Sequence, residues 1–297
     1  MTPTMPPSPA TRFAFSERAE PLHLRRAAPG VHGYAWRPPA PVATLILVHG
    51  LQSHAQWFAE CAESLFARGI AVYALDRRGS GASPGVRGDI GRYTEWFDEV
   101  AAVVDLARAD HPGLPAHLVG HCFGANLALG CALTRRPDIR SLVMLTPGLY
   151  ILPDYRPWAK LRILACGLLR PRARFPVPQD DDLFTRDPEV LAWIRQDALG
   201  ARTVTARCLL ETRRMVGWLR RNLDRLAVPL LVLEAARDRI SDNRRHRRLL
   251  DRRLRDRCRL VSFDAEHFLL AEPCREQVID ALVGWVGGGE EPRRHGG

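Results

Sequence analysis

Short apolar runs recur along the chain at 43–48, 71–75, 116–119, 141–145, 230–233 and 258–263, each four to six residues long. Between them lie stretches at 57–67, 93–110 and 125–134 with apolar residues at helical spacing. Strands that read as continuous apolar runs are buried on both sides, and helices alternating with them act as crossovers. The pattern predicts an α/β fold, a mostly parallel sheet with helices on both faces. The alternation stops between 150 and 222, where the pattern is helical with no convincing strand until Val228, so an inserted helical cap is expected there. This divides the chain into a loose Pro-, Ser- and Thr-rich leader (1–20), a first core part (21–149), the cap (150–222), a second core part (223–286) and a polar Gly-rich tail (287–297).

The first cap helix, expected over 157–170, has a proline at its start and Trp158, Leu161, Leu164 and Leu168 at helical spacing, with Ile163 and Leu169 widening the apolar surface. Lys160, Arg162 and Arg170 add positive charge. Two readings compete: a lid that lines an acyl pocket or makes weak membrane contact, and a helix that only packs on the core.

Composition narrows the class. The chain has 297 residues, 46% of them hydrophobic and 26% charged, which suits a globular domain large enough to enclose a site. No apolar run approaches the roughly 18 residues of a membrane span, and the start lacks a signal core, so a cytoplasmic protein is expected. Seven cysteines, an odd number without metal-ligand spacing, argue against a disulfide framework and a zinc site. The formal charge is +10, yet Lys160 is the only lysine, and the bias towards arginine does not by itself point to nucleic acid. The densest basic run, 237–257, interleaves Arg244, Arg245, Arg247, Arg248, Arg252, Arg253 and Arg255 with Leu249, Leu250 and Leu254. It reads as a helix with a solvated basic face, the competing reading being a docking surface for an acidic carrier protein.

The chemistry concentrates at Gly120-His121-Cys122-Phe123-Gly124, which follows an expected strand and opens an expected helix. This is the G-x-nucleophile-x-G elbow, in which flanking glycines relieve the crowding of a strained strand-to-helix turn. A buried structural thiol is the commoner fate of cysteine, but it explains neither glycine. The helix start after the elbow favours a thiolate at Cys122. His267, in the loop after the last strand, is placed to take and return a proton. Asp238, just beyond the strand that starts at Leu230, is placed to orient that imidazole, with Glu234, Asp242 and Glu266 as competitors. His49-Gly50-Leu51-Gln52 follows the first core strand, and the backbone N–H groups of Leu51 and Phe123 would form an oxyanion hole. His49 reads as a brace for that loop rather than as a base.

These stretches, together with Asp76-Arg77-Arg78-Gly79-Ser80-Gly81-Ala82-Ser83-Pro84-Gly85-Val86-Arg87-Gly88 and the cap segment Leu183-Phe184-Thr185-Arg186-Asp187-Pro188, resemble the monoacylglycerol lipase and lysophospholipase branch of the α/β-hydrolase superfamily. That branch is of the serine aminopeptidase S33 type. The likeness spans most of 43–285 and implies an α/β-hydrolase fold with a lid and a small-molecule acyl substrate. Two departures stand out. Ser80 replaces the histidine of the usual Gly-His-Gly turn, and Cys122 stands where the branch has serine. The pentapeptide is locally similar to the cysteine elbows of dienelactone hydrolases and polyhydroxyalkanoate synthases.

A thiol nucleophile passes through a thioester, which hands its acyl group readily to water, amines, alcohols or thiols. Three functions follow: hydrolysis of an ester or thioester with an apolar acyl part, acyl transfer from a thioester donor, and non-catalytic ligand binding. No HExxH, Walker loop or GxGxxG opening a βαβ unit is present, so no metal, nucleotide or flavin cofactor is expected.

Overall fold

The structure, a computed structural model, describes residues 12–24 and 30–288. Ten strands are described: β1 (Glu20–His23), β2 (His32–Trp36), β3 (Ala43–Val48), β4 (Ile70–Leu75), β5 (Ala116–His121), β6 (Ser141–Leu145), β7 (Arg174–Pro176), β8 (Thr203–Thr205), β9 (Leu230–Ala235) and β10 (Cys258–Phe263). Eight of them form one sheet in the order β1-β2-β4-β3-β5-β6-β9-β10. β1, β2 and β4 pair antiparallel, and every other pairing in this sheet is parallel. All residues of β3, β4, β5, β6 and β9 are buried. Successive residues of a strand face opposite sides, so the sheet is covered on both faces, as the apolar runs predict.

The covering helices are α1 (Ala59–Phe66), α2 (Tyr93–Asp110), α3 (Phe123–Thr134) and α8 (Arg275–Val286), with α7 (Asn243–Arg253) between β9 and β10. α1 packs with α8, and α2 packs with α3. β4 lies on one side of β3 and β5 on the other, so the chain reverses its order between β3 and β5. Such a switch point opens a crevice beyond the carboxyl ends of the strands, and the residues after β3 and β5 meet there.

Between β6 and β9 lie α4 (Pro157–Leu169), β7, α5 (Pro188–Gln196), β8 and α6 (Ala206–Asn222). β7 and β8 correct the expectation of a strand-free insertion: they pair antiparallel, Phe175 opposite Val204. Each has three residues and points one large apolar side chain inward, too short a pattern for alternation to register. α4 buries only Ile163, against Phe175 and Ala206, and exposes Trp158, Leu161, Leu164, Leu168 and Leu169. α6 anchors the insertion, with Met215 and Leu219 in the main core.

The loose leader expected over 1–20 is corrected for residues 12–20; residues 1–11 lie outside the described residues. Phe13 is fully buried, stacked on Trp193 at 4.1 Å, and Arg12 pairs with Glu60 at 3.0 Å. Two aromatics in so short a stretch give no periodic signal, yet Phe13 fills a hole formed by distant elements. Of the expected tail, 289–297 lies outside the described residues.

Candidate active site

Cys122 occupies the turn between β5 and α3 with φ 54° and ψ −116°, a conformation in which a side chain is strained. Its N–H donates to Leu145 O at 2.9 Å, and its carbonyl accepts from Ala125 N at 3.1 Å and Gly148 N at 3.0 Å. The flanking glycines are dictated by close approach. A Cβ on Gly120 would lie 2.4 Å from Gly124 O, and one on Gly124 would lie 2.0 Å from Val48 O. The turn therefore presses the start of α3 against β3 and lifts Cys122 to the head of the crevice.

Asp238 and His267 arrive from the loops after β9 and β10. One oxygen of Asp238 accepts from Ile240 N at 2.8 Å and Ser241 N at 2.7 Å, which fixes the carboxylate, and His267 Nδ1 donates to it at 2.8 Å. The other three carboxylates considered from sequence are engaged elsewhere. Glu234 accepts from Arg247 and Glu266 from Arg239, while Asp242 caps α7 through Arg245 N. Nε2 of His267 is buried with no oxygen or nitrogen partner among the described residues, and the thiol of Cys122 is near enough to act on the ring. Burial by itself would lower the His267 pKa, but the carboxylate of Asp238 and then the thiol of Cys122 outweigh it and raise it. For Asp238 burial acts upwards, and His267 with the two backbone donors brings the net shift downwards. A thiol, an imidazole and a carboxylate in this order can pass a proton between sulfur and a bound molecule.

His49 and His121 differ from His267. Burial, then the charge of Arg77, lowers the His49 pKa well below its usual value; burial, then His267, brings His121 down to about 3. Both shifts favour the neutral ring. His49 Nδ1 donates to Gly50 O at 2.8 Å and Nε2 accepts from Arg77 N at 3.3 Å, so its nitrogens are spent on bracing the loop. Leu51 lies in that loop, and Phe123 is the first residue of α3, where helix N–H groups have no acceptor within the helix. Ser80 keeps its turn through a bond from its N–H to Arg77 O at 2.9 Å, while its hydroxyl is buried without a partner among the described residues.

The site is closed. Cys122 is 4% exposed and His267 not at all, with Phe184 of the cap segment edge-on to the His267 ring at 5.7 Å. A cavity of about 340 Å³ in the insertion is lined by Tyr155, Trp158, Phe175 and neighbouring arginines, and does not include Cys122. Sequence reasoning passed over two groups around the crevice. Arg77, in a chain rich in arginine, is fully buried under the loop after β3; Asp197 reaches from the insertion to His54 at 3.0 Å and to Trp57 Nε1 at 2.9 Å. Neither burial nor pairing of this kind leaves a local pattern.

A family model described as serine aminopeptidase, S33, matches residues 39–274. The chain belongs to this family. Among curated relatives of this S33 chain, a monoacylglycerol lipase of Mycolicibacterium smegmatis is 28% identical over 258 residues, covering 84% of this chain and 90% of the relative. The human monoglyceride lipase is 27% identical over 212 residues, 70% of each chain. Among solved structures, a Paleococcus ferrophilus monoacylglycerol lipase superposes with a TM-score of 0.77 at 23% identity, covering 88% of this chain and 99% of that one. The fold is the α/β-hydrolase fold, and the chain is a hydrolase of lipase and esterase type.

Proposed function

We propose that this hydrolase cleaves an ester or thioester with an apolar acyl group through an acyl-cysteine at Cys122, with His267 as acid and base and Asp238 as its orienting partner. The observation that carries the reading is the strained elbow holding Cys122 opposite the free nitrogen of a histidine whose other nitrogen is locked to Asp238. In this reading residues 150–222 act as a cap over a core of 21–149 and 223–286.

The reaction starts as the Cys122 thiol gives its proton to His267. Sulfur attacks the acyl carbon, the carbonyl electrons move onto oxygen, and the N–H groups of Leu51 and Phe123 hold that oxyanion. As the carbonyl re-forms, the bond to the leaving group breaks and His267 gives it a proton. Neutral His267 then takes a proton from water, the hydroxide adds to the thioester, and collapse breaks the carbon–sulfur bond. The products are the acid and the regenerated ion pair. Gly120, His121 and Gly124 shape the elbow and touch no reacting atom.

Enclosure of Cys122 and His267 favours a second reading, transfer of the acyl group to an amine, alcohol or thiol from which water is excluded. An acidic carrier protein would then meet α7, whose Arg244, Arg245, Arg248 and Arg252 are exposed. The exposed leucines of α4 beside Arg156 and Arg162 support weak membrane contact, testable as salt-sensitive co-sedimentation with anionic vesicles. The free thiols of the described chain fit a reducing, cytoplasmic setting.

The deciding experiment is intact-protein mass spectrometry after brief exposure to acyl thioesters and nitrophenyl esters, wild type beside Cys122→Ala. An acyl mass on wild type alone is expected. Free acid released without an acceptor marks hydrolysis, and dependence on an acceptor marks transfer. A folded wild type that never acylates leaves only ligand binding.

A further inference from the structure

Arg77 is 2% exposed, and no carboxylate among the described residues lies within ion-pair distance of it. The neighbouring Glu99 is taken by Arg78 at 3.0 Å. Nη2 of Arg77 donates to Gly50 O at 2.8 Å and to Leu51 O at 2.6 Å, its guanidinium lies 5.3 Å from the Phe123 ring and 5.7 Å from the Trp96 ring, and Nε has no partner. Burying a cation without a counter-ion is unfavourable, so a structural role alone would be met more cheaply by an apolar side chain.

Peptide geometry indicates what the cation does. A trans peptide is planar, so its C=O and N–H point in opposite directions. The oxygen of the Gly50–Leu51 peptide is held by Arg77 from one side and by His49 Nδ1 at 2.8 Å from the other. The N–H of the same peptide, that of Leu51, therefore points away from Arg77. Gly50 abuts the nucleophile: a Cβ there would lie 3.4 Å from Cys122 Cβ. The loop is held from the cap as well, Gln52 O accepting from Ala201 N at 2.9 Å and Gln52 Nε2 donating to Gln179 O at 3.0 Å.

We propose that Arg77 is a positioning residue that locks the Gly50–Leu51 peptide with its N–H turned into the site, so that the oxyanion finds this donor in place. Without the guanidinium only His49 Nδ1 still holds the Gly50 oxygen, so the peptide turns over more readily and presents its carbonyl to the developing negative charge. Lysine carries the charge but not the planar fork, and is an incomplete substitute. The inference rests on the acyl-cysteine reading.

The test compares two reactions at Cys122, each followed by mass spectrometry of the Cys122 peptide. Acylation by a nitrophenyl ester passes through an oxyanion; alkylation by iodoacetamide displaces iodide and forms none. In Arg77→Met, acylation is expected to slow by about a hundredfold, the usual cost of one oxyanion donor, with alkylation little changed. Arg77→Lys is expected to recover part of the acylation rate, and serves alone if the Met variant does not fold. Equal acylation in wild type and variants overturns the inference, and so does a parallel fall in both reactions. If wild-type Cys122 is alkylated but never acylated, the acyl-cysteine reading fails and the inference falls with it.

Discussion

Two histidines pair with aspartates in the described interior: His267 with Asp238 at 2.8 Å and His54 with Asp197 at 3.0 Å. Both pairs are almost fully buried. They differ in how the ring is spent. His267 uses Nδ1 on the carboxylate and turns Nε2 towards Cys122, whereas His54 gives Nε2 to both oxygens of Asp197, which also accepts from Trp57 Nε1 and Leu199 N. The second pair is a strut between the loop after β3 and the insertion. A histidine–aspartate pair is thus no sign of chemistry in itself; what the remaining nitrogen faces decides its use.

Substitutions sharpen this contrast. Cys122→Ala is expected to abolish the acyl adduct and turnover, and Cys122→Ser to lose most activity, as a base matched to the longer carbon–sulfur bond would require; full activity in the serine variant would count against a site built for sulfur. Asp238→Asn is expected to lower kcat on the order of 10⁴-fold, since the amide favours the wrong tautomer. Asp197→Asn is expected to cost about 3 kcal/mol in denaturant unfolding while changing kcat less than about tenfold. A kcat loss in Asp197→Asn as deep as that in Asp238→Asn would break the distinction between the pairs.

The His267–Asp238 pair also makes stability depend on pH. The His267 pKa is raised because Asp238 and Cys122 outweigh burial, so its protonated form binds more tightly in the folded state. That stabilisation is complete below the unfolded value, about 6.5, and is lost as pH climbs towards about 10. Thermal midpoints of wild type should approach those of Asp238→Asn over that window; a constant gap would contradict the assignment of the shift.

Much of this arrangement was legible in the residues alone. β3, β5, β6 and β9 are apolar runs because they are buried on both faces, and the elbow announces itself because two close backbone approaches demand Gly120 and Gly124. Chain order then pointed to Asp238 and His267. The paired strands of the insertion, the packing of Phe13 and the burial of Arg77 were not legible. Each depends on what distant segments place around a residue, and one arginine looks like another until its surroundings are known.

The backbone at residue 122 has a further consequence. A residue other than glycine held at φ 54° costs about 1–3 kcal/mol. Cys122→Gly should therefore relieve that strain while removing the thiol and its action on His267. Glycine would meet this backbone with less strain, so on the acyl-cysteine reading the cysteine is a point where the fold gives up stability for reactivity.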